Sequence, residues 1–381
     1  MRPTRQIAPR GRLTWALFLT GASASYLLNG MGAILASIQD ELGATRAEVG
    51  IYPTLFAAGL LLVGVAGDRL IAVLDRPMAV RVAVIASVVG AWLVVVPDRT
   101  TALAGAALMG AGGALLITLM PVIVGALHPH RTTAIFGELQ GANSTASVIA
   151  PFLVGLALGI GIGWRPAYLL PTLLLLLVLP FLAGVPRRVA AARDPAGRAA
   201  SAPRPSSMAA LAPVPRARSL GRWADILISV SAEYCMVFWA ASAFRDWHGA
   251  SDDVAAALAA MFLLGMAAVR AVSSPLTRAI PDAWRLVTLG CVVAIVGFCA
   301  FWLGTNLLVC AMGAVVVGLG MGVHYPVLLP LFVSGHPESP DRAAARGTLA
   351  SGLAIGGAPL VLAALSDRLG LHGPTSSCRC C

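Results

Sequence analysis

The sequence predicts an all-α polytopic membrane protein, and its composition and its long apolar blocks both indicate this fold class. The chain has 381 residues, of which 58% are hydrophobic and only 12% are charged. Soluble domains carry about 25% charged residues, so this chain has too little polar surface to stay dissolved in water. A large soluble protein is therefore the disfavoured interpretation.

Eleven apolar blocks are long enough to cross a membrane as helices. The hydrocarbon core is about 30 Å thick and a helix rises about 1.5 Å per residue, so about 20 apolar residues are needed. The blocks lack the alternating pattern of membrane β-strands and exceed their length of about 9–11 residues. The predicted spans are 13–37, 47–66, 77–96, 101–127, 133–160, 165–185, 222–243, 253–280, 284–303, 306–333 and 342–365.

The distribution of arginine predicts the orientation of the chain, which contains no lysine. If the N-terminus lies in the cytoplasm and the loops alternate, 21 of the 27 arginines fall on the cytoplasmic side. Cytoplasmic loops carry an excess of basic residues, so this split predicts a multi-pass protein of the bacterial inner (plasma) membrane with a cytoplasmic N-terminus. The six arginines on the outer side are Arg46, Arg99, Arg165, Arg245, Arg368 and Arg379.

The first block admits a second interpretation as a signal peptide. Arginines precede it, and Ala22-Ser23-Ala24 has the small residues of a cleavage site. The apolar stretch nevertheless continues through Ile34 to Ile38, beyond the usual length of a signal peptide's apolar region. We therefore expect this block to remain as a membrane span.

Residue types in the chain exclude or disfavour whole classes of function. A P-loop needs a lysine to hold phosphates, so the chain cannot itself be a standard ATP-driven pump. The seven cysteines lack the spacing of a metal or disulfide framework. We expect no catalytic residue, no metal, no cofactor and no nucleic-acid partner, and an ion gradient, with the proton as the expected ion, as the energy source.

A polar segment divides the chain into two parts. Residues 186–221 are rich in Pro, Ala, Ser and Arg and predict a flexible basic cytoplasmic linker. It separates an N-terminal six-helix bundle, 1–185, from a C-terminal five-helix bundle, 222–370, followed by a Cys-containing tail, 371–381. Transporters built from two six-helix bundles share this layout. A truncated twelve-span protein and a natural eleven-span protein are both open interpretations.

Several short motifs occur in the order typical of one transporter family. Gly64-Val65-Ala66-Gly67-Asp68-Arg69 resembles the G-x-x-x-D-R motif between the second and third helices of the major facilitator superfamily, and its pseudo-repeat ends at Arg270. Gly163-Trp164-Arg165 is similar to the family's G-W-R before the sixth helix. The resemblance covers about residues 1–370. It implies a two-bundle fold, here with 6 + 5 helices, in a monomer whose partners are a small-molecule solute and the lipid bilayer.

The chain also departs from the family pattern. After Asp68-Arg69 the expected Gly-Arg-Arg is replaced by an apolar run, 70–74. The antiporter motif G-P-x-x-G-G of the fifth span appears here as 150–155, Ala-Pro-Phe-Leu-Val-Gly. The second departure weakens an interpretation as a drug/proton antiporter.

The resemblance implies a cytoplasmic gate. Gly64, Asp68, Arg69 and Arg270 hold the motif positions. Asp68 would pair with Arg69 or with an arginine across the bundle and so latch the outward-facing state. The alternative is an ordinary pair of side chains that extend to the membrane interface.

Three residues of the C-terminal part are candidates for a solute or proton site. Glu233 lies about ten residues inside the seventh span, where a charge costs several kcal/mol and therefore indicates function. His324 and Tyr325 precede Pro326, which together with nearby glycines should loosen the backbone at a cavity. A neutral, hydrogen-bonded carboxyl and a packed histidine are the structural alternatives.

Polar residues of the first and fifth spans predict the opposite wall of the cavity. Tyr26 and Asn29 are three residues apart and share a helix face, as do Gln140 and Asn143, together with Ser147. The alternative is that they form hydrogen bonds between neighbouring helices.

The sequence therefore predicts a secondary active transporter that moves a small organic solute by alternating access, with proton coupling. Proton-antiport efflux of drug-like or metabolite compounds is one alternative, and a non-transporting receptor, scaffold or defective transporter is another. An intramembrane serine protease, with Ser23 as nucleophile and His324 as base, would rest on two residues without a recognised signature.

Overall fold

The computed structural model describes residues 11–128, 132–185, 216–272, 276–277, 279–335 and 340–369, and these residues are helical apart from short turns. No strand occurs among them, which confirms the all-α fold class. The helices are α1 Arg12–Leu42, α2 Arg46–Leu74, α3 Arg76–Val94, α4 Arg99–Leu127, α5 Thr132–Gly159, α6 Trp164–Val178, α7 Arg216–His248, α8 Asp252–Ala271, α9 Ala283–Leu303, α10 Leu307–Met321, α11 His324–Ser334 and α12 Pro340–Leu369. A short 3-10 helix, Phe181–Gly184, follows α6.

Within the described residues, nine helical segments are long and apolar enough to cross a membrane. One of them, Leu307–Val333, combines α10 and α11. Helix α6 is apolar but shorter, with 15 residues. Helix α1 has 31 residues and is not among the nine, because it carries polar side chains such as Asn29 along its length. The eleven predicted spans thus correspond to helices, and nine of them meet this criterion.

Three predicted boundaries differ from the observed helices. Helix α2 continues to Leu74, so the motif positions 64–69 lie within a helix and not in a loop, and the chain turns at Asp75 with φ 59°. Helix α7 begins at Arg216, so the last six residues of the predicted linker 186–221 are helical. Helix α8 ends at Ala271 rather than near 280. The tail 371–381 and the linker positions 186–215 lie outside the described residues.

The tenth span is broken, as the glycines before Pro326 predict. Helix α10 ends at Met321 and α11 begins at His324, with Gly322 and Val323 between them. A broken helix leaves backbone carbonyls without their usual partners inside the bundle. One carbonyl at this break, that of Met321, lies 3.1 Å from Nδ1 of His324.

Glycines allow the same close helix packing in both parts of the chain. A Cβ on Gly90 of α3 would lie 2.5 Å from the backbone nitrogen of Met109 in α4. A Cβ on Gly313 of α10 would lie 2.5 Å from the backbone nitrogen of Phe301 in α9. Small residues at helix crossings stabilise membrane bundles because they bring backbones together. The pairs α3–α4 and α9–α10 are thus built alike.

The helices before and after the linker, called the N half (11–185) and the C half (216–369), meet along two seams. Helix α2 packs against α12 and helix α5 against α8, while α1 crosses α7 between them. The helix ends near 43–45, 160–163, 249–251 and 369 are those that the arginine distribution assigns to the outside, and we call them the outer end. At Gly32 of α1, a Cβ would overlap the carbonyl oxygen of Val237 in α7. The two halves therefore touch backbone to backbone in the outer half of the bundle.

Candidate functional site

The structure brings Glu233 and Arg270 together inside the C half. Glu233 lies near the middle of α7 and is 9% exposed, and Arg270 lies in the last turn of α8. The Nη2 atom of Arg270 donates to Oε1 of Glu233 over 3.2 Å. A charged group inside a membrane protein is stabilised by such a partner. Glu233 is therefore not an isolated charge, and Arg270 contacts a residue of its own half.

The sequence contained a signal for this pair. Helices α7 and α8 are antiparallel neighbours joined by the short turn 249–251. Counting equal numbers of residues in both directions from the centre of that turn places position 267 opposite Glu233. Position 267 is one helical turn from Arg270. A long arginine side chain spans such a distance. The crossing angle of the two helices, which brings the side chains into contact, does not follow from this spacing.

Other predicted residues lie around this ion pair. His324 and Tyr325 at the start of α11 both interact electrostatically with Glu233, and so does its neighbour Tyr234. Tyr325 is also close to the Ser351 side chain of α12. We call Glu233, Tyr234, Arg270, His324 and Tyr325 the acid–base cluster. It joins α7, α8 and the break in the tenth span.

Both ring nitrogens of His324 have partners. Its Nδ1 lies 3.1 Å from the carbonyl oxygen of Met321, and its Nε2 lies 3.2 Å from Sγ of Cys291. A neutral imidazole fits this arrangement, since one nitrogen donates to the carbonyl and the other accepts from the thiol. The ring is 5% exposed, in keeping with the packed-histidine alternative. The ring nitrogens of His324 contact Met321 and Cys291, and Ser23 Oγ is buried without a hydrogen-bond partner in the described part of the chain. A protease with Ser23 as nucleophile and His324 as base therefore has no support.

Two of the predicted cavity residues bind neighbouring helices of the N half. The Tyr26 hydroxyl donates to the carbonyl oxygen of Ala167 in α6 over 2.8 Å. The Asn29 amide donates to Oγ of Ser147 in α5 over 3.0 Å and to the carbonyl oxygen of Ser25 over 2.9 Å. These contacts match the alternative of hydrogen bonds between helices. Tyr26 and Asn29 thus hold α1 against α5 and α6.

Gln140 and Asn143 retain unused hydrogen-bonding capacity. The Asn143 amide nitrogen donates to Oε1 of Gln140 over 3.1 Å. Asn143 Oδ1 is buried and has no hydrogen-bond partner, and the Gln140 side chain is exposed. A buried acceptor without a partner is uncommon, and a ligand or an ordered water normally accounts for it. These two residues of α5 are therefore among the N-half positions whose polar groups are available to a ligand.

The predicted cytoplasmic gate is only partly visible. Gly64, Asp68 and Arg69 lie in the last three turns of α2, and their side chains are outside the described part of the structure. Arg270, the fourth member, forms the ion pair with Glu233. Among the described residues, no group of three or more His, Cys, Asp or Glu side chains could hold a metal ion.

A polar network that the sequence did not predict lies at the outer end. Arg46 at the start of α2 donates from Nη2 to Asp246 of α7 over 2.7 Å and from Nη1 to Ser366 of α12 over 2.6 Å. The backbone N–H of Ala47 donates to Oδ2 of Asp367 over 2.7 Å. These contacts all join the N half to the C half. In the sequence, Arg46 indicated only the orientation of the chain in the membrane.

A second arginine extends this network. Arg245 Nη1 lies 2.7 Å from Oδ2 of Asp40 at the end of α1 and 3.8 Å from Oδ1 of Asp252 in α8. Its Nε donates to Oδ1 of Asp246 over 2.9 Å. The carboxylate of Asp246 is thus shared by the two arginines. No sequence signal marks this convergence beyond the position of each residue near a helix end.

Other charged pairs at the outer end stay within the N half. Arg165 of α6 binds both carboxylate oxygens of Glu41 at the end of α1, and Trp164 donates to the same carboxylate from Nε1 over 3.0 Å. Burial raises the pKa of Glu41, but these hydrogen bonds and the nearby positive charge outweigh it and hold the pKa below its usual 4.5. Arg99 at the start of α4 pairs with Glu48 of α2 over 2.8 Å.

Comparison with known proteins covers nearly the whole chain. A family model described as Major Facilitator Superfamily matches residues 16–359. No curated protein sequence matches the chain. Among solved structures, a bacterial homologue of the human lysosomal transporter Spinster, in an inward-facing and occupied conformation, has a TM-score of 0.70 at 17% identity over 93% of this chain and 81% of that one.

Two further solved structures share this fold. The D-xylose–proton symporter has a TM-score of 0.67 at 16% identity over 92% of this chain and 89% of that one. The nucleoside transporter NupG has a TM-score of 0.72 at 12% identity over 93% of this chain and 92% of that one. At such identities the likeness establishes the fold alone.

Proposed function

The chain belongs to the major facilitator superfamily, and from this premise we propose that it is a secondary active transporter that moves a small organic solute by alternating access, driven by the proton gradient. In this mechanism two helix bundles rock around a central site that opens to one side at a time. The N half and the C half would be these bundles, in a monomer of the bacterial inner membrane with a cytoplasmic N-terminus. The symporter with the same fold moves D-xylose with a proton, which supports this type of coupling.

The observation that carries the proposal is the ion pair between Glu233 and Arg270. A carboxyl that is 9% exposed has two stable forms here: a carboxylate paired with the guanidinium, or a neutral acid that needs hydrogen bonds but no charged partner. Protonation of Glu233 therefore releases Arg270, and deprotonation recaptures it. This exchange couples the movement of one proton to a change in the hydrogen-bonding groups that a solute meets.

The solute would bind between the two halves. Gln140 and Asn143 of α5 contribute uncharged amide groups from the N half, and Asn143 Oδ1 lacks a partner. Tyr325 and the side chain of Arg270, 35% exposed, contribute donors from the C half. Amides, hydroxyls and one guanidinium suit a small polar organic molecule. Gly64, Asp68 and Arg69 would form the gate at the cytoplasmic end.

The test uses the purified protein in liposomes with a pH-sensitive dye inside. Pentoses, nucleosides, short peptides and organic acids are added outside in turn, and the solute-driven movement of protons is recorded. We expect Glu233→Gln to abolish this movement while solute exchange across the membrane continues, since exchange needs no net proton transfer. Asp225→Asn, on the same helix and eight residues nearer its start, is the matched control and should behave as the wild type.

The outcomes separate the remaining functions. Proton movement in the direction of the solute indicates symport, and movement against it indicates antiport efflux. Wild-type proton movement in Glu233→Gln would contradict the assigned coupling residue. Binding without any flux of a bound compound would leave a receptor as the function and overturn the transport proposal.

A further inference from the structure

We infer that Arg46, Arg245 and Asp246 form the outer gate of the transporter, a set of positioning residues that holds the two halves together at the outer end. The inference rests on the proposed alternating access, because only then must the outer end open. Arg46 belongs to the N half, and Arg245 and Asp246 belong to the C half. The contact between Arg46 and Asp246, at 2.7 Å, bridges two positions 200 residues apart in the chain.

Asp246 is the centre of the gate because its carboxylate is shared. Oδ1 accepts from Nε of Arg245 and Oδ2 accepts from Nη2 of Arg46, so one negative charge separates two positive ones. The side chains are 18–23% exposed, which limits the screening of their charges by water. Without the carboxylate, the two guanidinium groups would repel each other across the boundary between the halves.

The surrounding contacts tie four helix ends to this centre. Arg46 also donates to Ser366, and the N–H of Ala47 donates to Asp367, which brings in α12. Arg245 also donates to Asp40, which brings in α1. Charge-assisted hydrogen bonds of this length are stronger than neutral ones. Each of these three contacts joins the N half to the C half.

The network covers a place where the backbones of the two halves already meet. Below it, α1 and α7 cross at Gly32 and Val237 without room for a Cβ. The structure is therefore closed at the outer end. A solute that enters from outside requires the halves to separate here, so the contacts of Asp246 and Arg46 must break once in each transport cycle.

Charged pairs at the same end that do not cross between the halves provide the contrast. Arg99 with Glu48 lies entirely within the N half. Asp252 lies within the C half, is 51% exposed and approaches Arg245 only to 3.8 Å. These residues should move with their own half and remain in place when the outer end opens. They are the natural controls for the gate.

The test measures the distance between the halves and needs no solute. Spin labels are placed at Ile162 in the N half and Leu303 in the C half, both exposed at the outer end, after the seven native cysteines have been replaced. We expect one short distance in the parent protein. Asp246→Asn should add a longer distance, raising the open population by about tenfold, which corresponds to about 1.4 kcal/mol. Arg46→Gln should act in the same direction.

Asp252→Asn and Arg99→Gln are the matched controls and should leave the distance distribution unchanged. If Asp246→Asn fails to fold, the distance distributions of Arg46→Gln and Arg99→Gln are compared instead. Only Arg46→Gln should show the longer distance. Unchanged distances in both gate variants would overturn the inference even if transport is found. Altered distances in a protein without flux would keep the gate and remove the proposed transport function.

Discussion

The outer gate and the acid–base cluster are both built from arginine and carboxylate, yet they differ in what they connect. In the outer gate, Arg46 and Asp246 belong to different halves of the molecule. In the acid–base cluster, Glu233 and Arg270 belong to the same half and move together. A pair between halves responds to the conformation of the transporter. A pair within one half can respond to protonation without any separation of the bundles.

The largest effect is expected where the halves touch through backbone alone. Gly32→Val would place a side chain where even a Cβ overlaps the carbonyl oxygen of Val237, and that backbone cannot move aside cheaply. We expect solute transport to fall below detection while each half stays folded, because the outer end can no longer close. The opening would be measured by introducing a cysteine between the two halves at the outer end and recording its labelling by a membrane-impermeant thiol reagent.

Two glycines serve as controls for this substitution. Gly90 also packs against backbone but within the N half, where a Cβ would lie 2.5 Å from the nitrogen of Met109, so Gly90→Ala should lower the melting temperature and leave the labelling unchanged. Gly357 has open space beside it, so Gly357→Ala should change neither. If Gly32→Val and Gly90→Ala gave the same labelling, the distinction between contacts across and within halves would fail.

A smaller effect is expected at the pair within the C half. Arg270→Gln leaves the Glu233 carboxylate without its partner, and we expect a loss of about 2 kcal/mol of stability at neutral pH, reduced from the value for a fully buried pair because Arg270 is partly exposed. Thermal unfolding in detergent measures it. The double variant Glu233→Gln/Arg270→Gln should recover most of the loss and still lack proton coupling.

The labelling assay adds a second check on that variant. Arg270→Gln should not open the outer end, since the ion pair that it breaks joins two helices of the C half. An open outer end in Arg270→Gln would contradict the division between the two regions. Equal stability of the single and double variants would show that the ion pair contributes nothing.

The smallest effect is expected at Glu41, whose pair with Arg165 lies within the N half and near solvent. Because the pKa of Glu41 is below its usual 4.5, its contribution to stability is fully present above pH 4.5 and is lost as the pH falls through the lowered pKa. Glu41→Gln should therefore cost less than about 1 kcal/mol at pH 7. The difference from the wild type should vanish in acid, as followed by melting temperature against pH.

The sequence predicted those features that depend on local composition and spacing. The apolar blocks predicted the helices, and Pro326 with the glycines before it predicted a loosened backbone in the span that is interrupted at 322–323. Hydrophobic length and backbone chemistry decide these features, and both are local. The family resemblance added the two-bundle plan, which the family model and the solved structures confirm as a fold.

The features that the sequence did not predict depend on how helices meet. Glu233 and Arg270 are 37 residues apart, and Arg46 and Ser366 are 320 apart. Whether such residues touch depends on helix rotation and crossing angle, which small residues at the seams determine only once the helices are packed. Tyr26 illustrates the same limit, since its helix face was predicted but its hydrogen bond to α6 was not.

Prolines in the seam helices have a mechanical consequence for the outer end. Pro53 lies in α2 and Pro359 lies in α12, and each removes one backbone hydrogen bond from its helix. Beyond them, only about two helical turns lead to Arg46 and to Asp367, which is about 10 Å of helix on each side. A helix bends most easily at such a point. The outer gate is thus held by two short helix ends that can bend at Pro53 and Pro359. The first step of opening can therefore be a local bending of these helix ends, before the two bundles rotate as a whole.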